Sequence, residues 1–207
     1  MPRTKHSRRK GRGRNYIPVL VVLAVVLFAA AAAALGPVLR VQRLGREKVP
    51  EWIDQQFLEV DGHSRRGRNL TALNDIVIHY VGNPGTSAQN NRDWFANPES
   101  NVSAHFVVGL EGEVIQCLPL EEISSASNHR NPDTISIEVC HPDETGKFTD
   151  KTYAALVRLT AWLCDSAGLP RENVIRHYDV TGKNCPKYFV ENEEAWLAFL
   201  EDVKIYT

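Results

Sequence analysis

Arg176-His177-Tyr178-Asp179-Val180-Thr181-Gly182-Lys183-Asn184-Cys185-Pro186 sets an imidazole and a thiol eight positions apart. Gly182 and Pro186 predict a loop rather than a helix between them. A loop of that length can fold back and aim both side chains at one point. Imidazole and thiolate together are strong zinc ligands. Working outward, a third ligand is offered by His79 in Ile76-Val77-Ile78-His79-Tyr80. That apolar run predicts a buried strand ending in a polar residue. Two histidines and one cysteine leave the fourth corner of a tetrahedral ion free for water, which is the arrangement of a catalytic zinc site.

Around these ligands the chain alternates strand and helix patterns. Gly82 to Ser87 reads as a turn-rich loop leaving the first strand. Gln89–Ala96 predicts a short helix with Trp94 and Phe95 inward. Ser103–Gly109 and Val114–Leu118 predict a hairpin about Leu110-Glu111-Gly112. Thr134 to Cys140 alternates with period two, so Glu138 shares a face with Ser136 and Thr134. Asp150 is the expected N-cap of a helix whose stripe is Tyr153, Leu156, Val157, Thr160 and Cys164, ended by Gly168 and Pro170. Val174–His177 predicts a further strand. Asn192 to Val203 predicts a last helix on Trp196, Leu197, Leu200 and Val203. Glu51 to Leu58 shows helical spacing, and Asp61–Asn69 reads as a loop. The fold class expected is α/β: a central mixed β-sheet flanked by helices.

The net charge of -1 conceals two different parts. Residues 1–47 hold ten Lys/Arg and one Glu, a net of +9, whereas the remaining 160 residues carry a net of -10. An acidic main domain argues against nucleic acid as a partner, because phosphate neutralisation needs clustered cations. Seven Lys/Arg precede an uncharged run from Ile17 to Leu35. At 1.5 Å per residue that run spans roughly 28 Å, close to the thickness of a bilayer's hydrocarbon. The flanking cations keep the N-terminus in the cytoplasm. The expected order is a basic cytoplasmic tail (1–15), a transmembrane anchor (16–35), a solvated linker (36–50) and an extracellular domain (51–207). A cleaved secretory signal is the alternative, with Ala29–Ala34 as the cleavage region. Cys117, Cys140 and Cys164 lie in apolar runs and read as buried free thiols, with a Cys117–Cys140 bridge left open.

The stretches Ile76–Tyr80, Val102–Phe106, Ile135–Glu138 and His177–Pro186 together resemble the type-2 N-acetylmuramoyl-L-alanine amidases, zinc enzymes similar to peptidoglycan recognition proteins. The resemblance covers roughly Trp52 to Val203 and is most specific in the last stretch. It implies hydrolysis of the amide between N-acetylmuramic acid and the L-alanine of the peptidoglycan stem peptide. It also implies a site in a groove on one face of the sheet, in a bacterial cell-wall enzyme.

On this reading His79, His177 and Cys185 hold Zn2+. Glu138 is the general base, and Lys183 meets the developing oxyanion. Asn83, in the loop after the first ligand, is a candidate contact for stem peptide. The resemblance places a catalytic glutamate in the stretch of Glu138. Some phage relatives have a tyrosine where Ala104 stands, so no tyrosine role carries over. His105 reads as a packed strand histidine, and His129 and His141 as loop residues. Two rival readings share these residues. One is a peptidoglycan-binding module of the same fold without catalysis. The other is a cysteine hydrolase with Cys185 as nucleophile and His177 as base.

Overall fold

The computed structural model describes residues 17–60 and 63–206, with side chains from Leu20 onward. The basic tail expected at 1–15, and Asp61 and Gly62 of the expected loop, lie outside the described residues. The chain divides into two compact units, 1–35 and 36–207. In the first, the described residues belong to helix α1 (Ile17–Leu44), and Leu20 to Leu35 are exposed on every side. The stretch is long and apolar enough to cross a membrane.

In the second unit the last turns of α1 depart from the expected linker. Val41 and Leu44 are buried in the main core, and Arg40 and Arg43 donate to the carbonyls of Leu73 (3.3 Å) and Asp165 (3.0 Å). Val41 and Leu44 sit three apart, so they share one helical face. Cutting the chain at Lys48 would strip both from the core.

Six strands form one sheet in the order β1-β4-β3-β5-β2-β6: β1 Ile53–Gln55, β2 Asp75–Ile78, β3 Phe106–Val108, β4 Val114–Gln116, β5 Thr134–Val139 and β6 Val174–Arg176. Only β3 and β4 pair antiparallel, as the hairpin; the other pairings are parallel. The helices are α2 (Ala88–Phe95), α3 (Asp150–Ala167), α4 (His177–Thr181), α5 (Lys187–Glu191) and α6 (Glu193–Ile205). This is the expected mixed sheet flanked by helices.

Strand alternation sorts the side chains into two faces. Ile135, Ile137 and Val139 of β5 and Phe106 and Val108 of β3 meet Leu156, Leu159 and Leu163 of α3 and Phe199 of α6. Each such leucine contributes about 1.5–3 kcal/mol by leaving water. Val107 and Ile115 face the other way and pack on Ala88 and Phe95 of α2. Thr134, Ser136 and Glu138 share that second side.

Local details differ from the expectations at three points. Glu51–Leu58 opens in a turn and continues as strand β1 rather than as a helix. Ile53 enters the larger core and Leu58 the smaller, and an extended chain bridges about 17 Å over that interval where a helix reaches about 7.5 Å. The N-cap of α3 is Thr149, whose Oγ1 accepts from Thr152 N at 3.0 Å, and Asp150 is the first helical residue. Gly168, at φ +65°, ends α3 as expected. Between His177 and Cys185 the chain takes a short helix, α4, before Gly182 at φ +75° turns it into the loop.

Candidate active site

The sheet register builds the site. β2 lies between β5 and β6, pairing Ile78 with both Ile137 and Arg176. The next residue on each strand is therefore Glu138, His79 and His177, side by side at the C-terminal ends of three parallel strands. Ligands in open α/β sheets sit at such strand ends. α4 and the Gly182 turn then bring Cys185 back, fixed by Tyr178 N donating to Cys185 O at 2.8 Å. The donor atoms of His79, His177 and Cys185 all lie within 4.8 Å of one another, and all three residues are buried.

The two rings face each other through Nδ1 at 3.1 Å, and Cys185 Sγ lies 4.0 Å from His79 Nδ1. Their outer nitrogens are held by consecutive residues. His79 Nε2 is 3.2 Å from Ser127 Oγ, and His177 Nε2 is 2.7 Å from Asn128 Oδ1. Asn131 Oδ1 accepts from the backbone N–H of Ala126 and Ser127 and so fixes that loop. With Nε2–H donating on both rings, both Nδ1 atoms present lone pairs to the same point.

That convergence fits a metal ion. A tetrahedral zinc, with bonds of about 2.1 Å to nitrogen and about 2.3 Å to sulfur, sets its ligand atoms roughly 3.3–3.6 Å apart. Burial lowers His79 well below the usual imidazole value, helped by His177 and Lys183, and lowers His177 as well. Both rings are therefore neutral, as ligands must be. Burial pushes the Cys185 thiol up to about 12, so without an ion it keeps its proton. A nucleophilic cysteine needs the opposite shift.

Glu138 stands beside these groups, with Oε1 3.9 Å from His79 Nδ1 and Oε2 buried without a partner. Burial raises its pKa to about 8, against the pull of Lys183. The solvated strand carboxylate is thus replaced by a desolvated one with high proton affinity. Lys183 is exposed but close enough to shift His79, His177 and Glu138. All five groups line one cavity of about 230 Å³.

Other residues singled out in the sequence lie elsewhere. Asn83 is exposed outside the cavity lining, and its carbonyl accepts from Thr86 Oγ1 at 2.7 Å. His105 is wholly buried, with Nε2 donating to Glu122 O at 2.8 Å and Nδ1 accepting from Ser136 N at 3.1 Å. His129 is exposed. His141 is buried against Tyr80, with ring centroids 5.0 Å apart. All four cysteines are free and buried, so Cys117 and Cys140 form no bridge. Trp94, expected inward, is 49% exposed and forms part of the cavity wall, while Phe95 is buried. Ser127, Asn128 and Trp94 carry no local signal of these positions, since each depends on contacts far away in sequence.

Residues 69–188 match the sequence model of a family described as N-acetylmuramoyl-L-alanine amidase. The chain is 31% identical over 169 residues to N-acetylmuramoyl-L-alanine amidase BlyA of Bacillus subtilis (strain 168), covering 72% of this chain and 46% of that protein. It is 30% identical over 166 residues to N-acetylmuramoyl-L-alanine amidase CwlL of Bacillus licheniformis, with the same coverage. The chain thus spans about half the length of these curated relatives. The solved catalytic domain of XlyA superposes with a TM-score of 0.65 at 27% identity, covering 73% of this chain and 98% of that one.

Proposed function

This chain belongs to the N-acetylmuramoyl-L-alanine amidase family, and from that premise we propose that it is a zinc-dependent hydrolase of the amide between N-acetylmuramic acid and L-alanine in peptidoglycan. The observation that carries the reading is the convergence of two imidazole lone pairs and one thiol beside a desolvated carboxylate. His79, His177 and Cys185 would hold the ion. When bound, zinc in a three-ligand site supplies Lewis acidity and makes hydroxide available near neutral pH.

The remaining steps belong to the chain's own groups. Glu138 takes the proton of the attacking water and passes it to the leaving nitrogen. Its burial suits it to both halves, because high proton affinity makes a strong base and a group able to hold the proton until the amine needs it. The Lys183 ammonium stabilises the negative charge developing on the amide oxygen. Ser127 and Asn128 fix ring orientation and tautomer. The apolar N-terminal helix directs the domain out of a bacterial cell, either as a single-pass anchor or as a signal removed afterwards. Membrane fractionation with N-terminal sequencing separates those two fates.

The test uses the full chain in detergent with purified muropeptides, with and without a strong chelator, followed by added zinc. Release of free stem peptide should cease with chelator and return with zinc. Cleavage indifferent to chelator but lost to thiol alkylation would point to a cysteine enzyme. Binding without cleavage would point to the non-catalytic module.

A further inference from the structure

A second cavity, of about 400 Å³, is lined by His177 but not by Trp94. It shares Val102, Ser125, Ala126, His177 and Lys183 with the metal-ligand cavity, so the two are arms of one cleft. The walls particular to the second arm are Arg66, Asn101, Asn128, Asn131 and Thr181. No carboxylate among the described residues lines it. That is notable in a domain whose residues 48–207 carry a net charge of -10. Arg66 is exposed, and no hydrogen bond or ion pair joins it to another described residue. Asn101 (φ +52°) and Asn128 (φ +54°) are the only described non-glycine residues with positive φ, and both stand on this arm. Backbone held in that region clusters at ligand sites. The first arm is different: Trp94, Phe95 and Val81 give it an apolar wall.

We propose that the Arg66 arm is a carboxylate-binding subsite that receives the stem peptide, which sets the direction in which the substrate lies across the ligand cluster. This rests on the amidase reading above. The substrate is electrically lopsided about the bond to be cut. The muramic acid side is uncharged once its lactyl group is amidated, whereas the peptide side carries free carboxylates. An arm lined by two cations, Arg66 and Lys183, and by no acid fits the peptide, and the aromatic arm fits the glycan. A guanidinium with no partner among the described residues offers a carboxylate two parallel N–H donors. Lys183, at the junction of the arms, adds charge near the scissile amide.

The test compares N-acetylmuramoyl-L-alanyl-D-glutamate with the same compound amidated at both glutamate carboxyl groups, on the full-length, zinc-loaded chain. The wild type should prefer the free carboxylate by about fivefold to tenfold in kcat/KM, expressed in KM. Raising the salt should shrink that preference. Arg66→Ala should erase the preference by raising KM for the free acid to that of the amide, and Arg66→Lys should keep part of it. A wild type without preference, or an Arg66→Ala chain that retains it, overturns the proposal. If neither compound is cleaved, the amidase reading falls and calorimetric binding decides the subsite separately. Binding that needs both the carboxylate and Arg66 sustains it. Equal binding of the two compounds, or none, ends it.

Discussion

His105 is as deeply buried as His79, at 0% and 2% exposure, and the two differ in what hydrogen bonding leaves over. Both nitrogens of His105 are satisfied by protein, one by Glu122 O and one by Ser136 N. His79 and His177 each satisfy one nitrogen, through Ser127 and Asn128, and turn the other toward its twin at 3.1 Å. With Nε2–H on both rings, two lone pairs at that separation repel unless a metal ion or a shared proton lies between them. Burial therefore marks all three rings, but only the surplus acceptors mark a site. The same contrast runs through the sheet: Ile135, Ile137 and Val139 fill the core, and Glu138, one position over, keeps an oxygen without a partner.

The sharpest way to break this comparison is to remove one ring from each class. His177→Ala or Cys185→Ser should abolish zinc binding and reduce muropeptide cleavage at least about 10⁴-fold. His105→Gln should keep stoichiometric zinc. Metal content and product release on the same preparations check both halves. A His105 variant that loses zinc, or a His177 variant that retains it, would show that the leftover lone pair is not the distinguishing feature. Next in size comes Glu138→Gln, which keeps the shape and removes the proton acceptor. Cleavage should fall about 10²–10⁴-fold with zinc still bound. Loss of zinc from this variant would make Glu138 part of the metal site rather than its base.

How much of this was legible in the sequence follows from range. The two histidines and the cysteine, the period-two strand of Glu138 and the stripe of α3 are local patterns, and the structure brings the three donor atoms of the first set together. The mixed sheet with flanking helices followed from the alternation of those patterns. What failed depended on distant partners. Glu51–Leu58 has helical spacing, but two separate cores pull Ile53 and Leu58 apart. The cations at Arg40 and Arg43 looked solvated, yet carbonyls far along the chain accept from them. Trp94 and Phe95 are adjacent, so a helix must turn them different ways, and only the packing of α2 decides which one enters the core. Ser127 and Asn128 became visible as ring holders only through contacts spanning nearly fifty residues.

A smaller effect tests the other half of the comparison, the histidine that serves packing. Burial lowers His105 to about 4, against ~6.5 in an unfolded chain. Between those values the unfolded state binds the extra proton. The stability that neutral His105 provides is therefore present above about pH 6.5 and is lost as pH falls toward 4, by about 3 kcal/mol in all. Urea midpoints from pH 7 to 4 should show this loss, and His105→Gln should flatten it. His79 and His177, also lowered by burial, steepen the curve in both proteins, so the difference between the curves isolates His105. Parallel curves would mean that His105 titrates freely in the folded chain.

The smallest expected effect sharpens the comparison most, because it alters neither a ligand nor a core group. Asn128 holds His177 Nε2 from a left-handed backbone position at φ +54°. Glycine adopts that conformation without strain, so Asn128→Gly removes the hydrogen-bond acceptor while leaving the loop's geometry accessible. Asn128→Asp keeps an acceptor oxygen at the same reach. If the surplus lone pair on His177 is aimed by the bond on its other nitrogen, the glycine variant should weaken metal affinity about 10–100-fold, and aspartate should restore most of it. Competition with a chelator, read from the cobalt-substituted spectrum, measures this without any turnover. Thermal melts of the metal-free chains should differ little, because no buried apolar contact is lost. A glycine variant that binds metal as tightly as the wild type would mean that the ring is held by the packing of α4 alone, and the Nε2 bond would then be as incidental to metal binding as the bonds of His105.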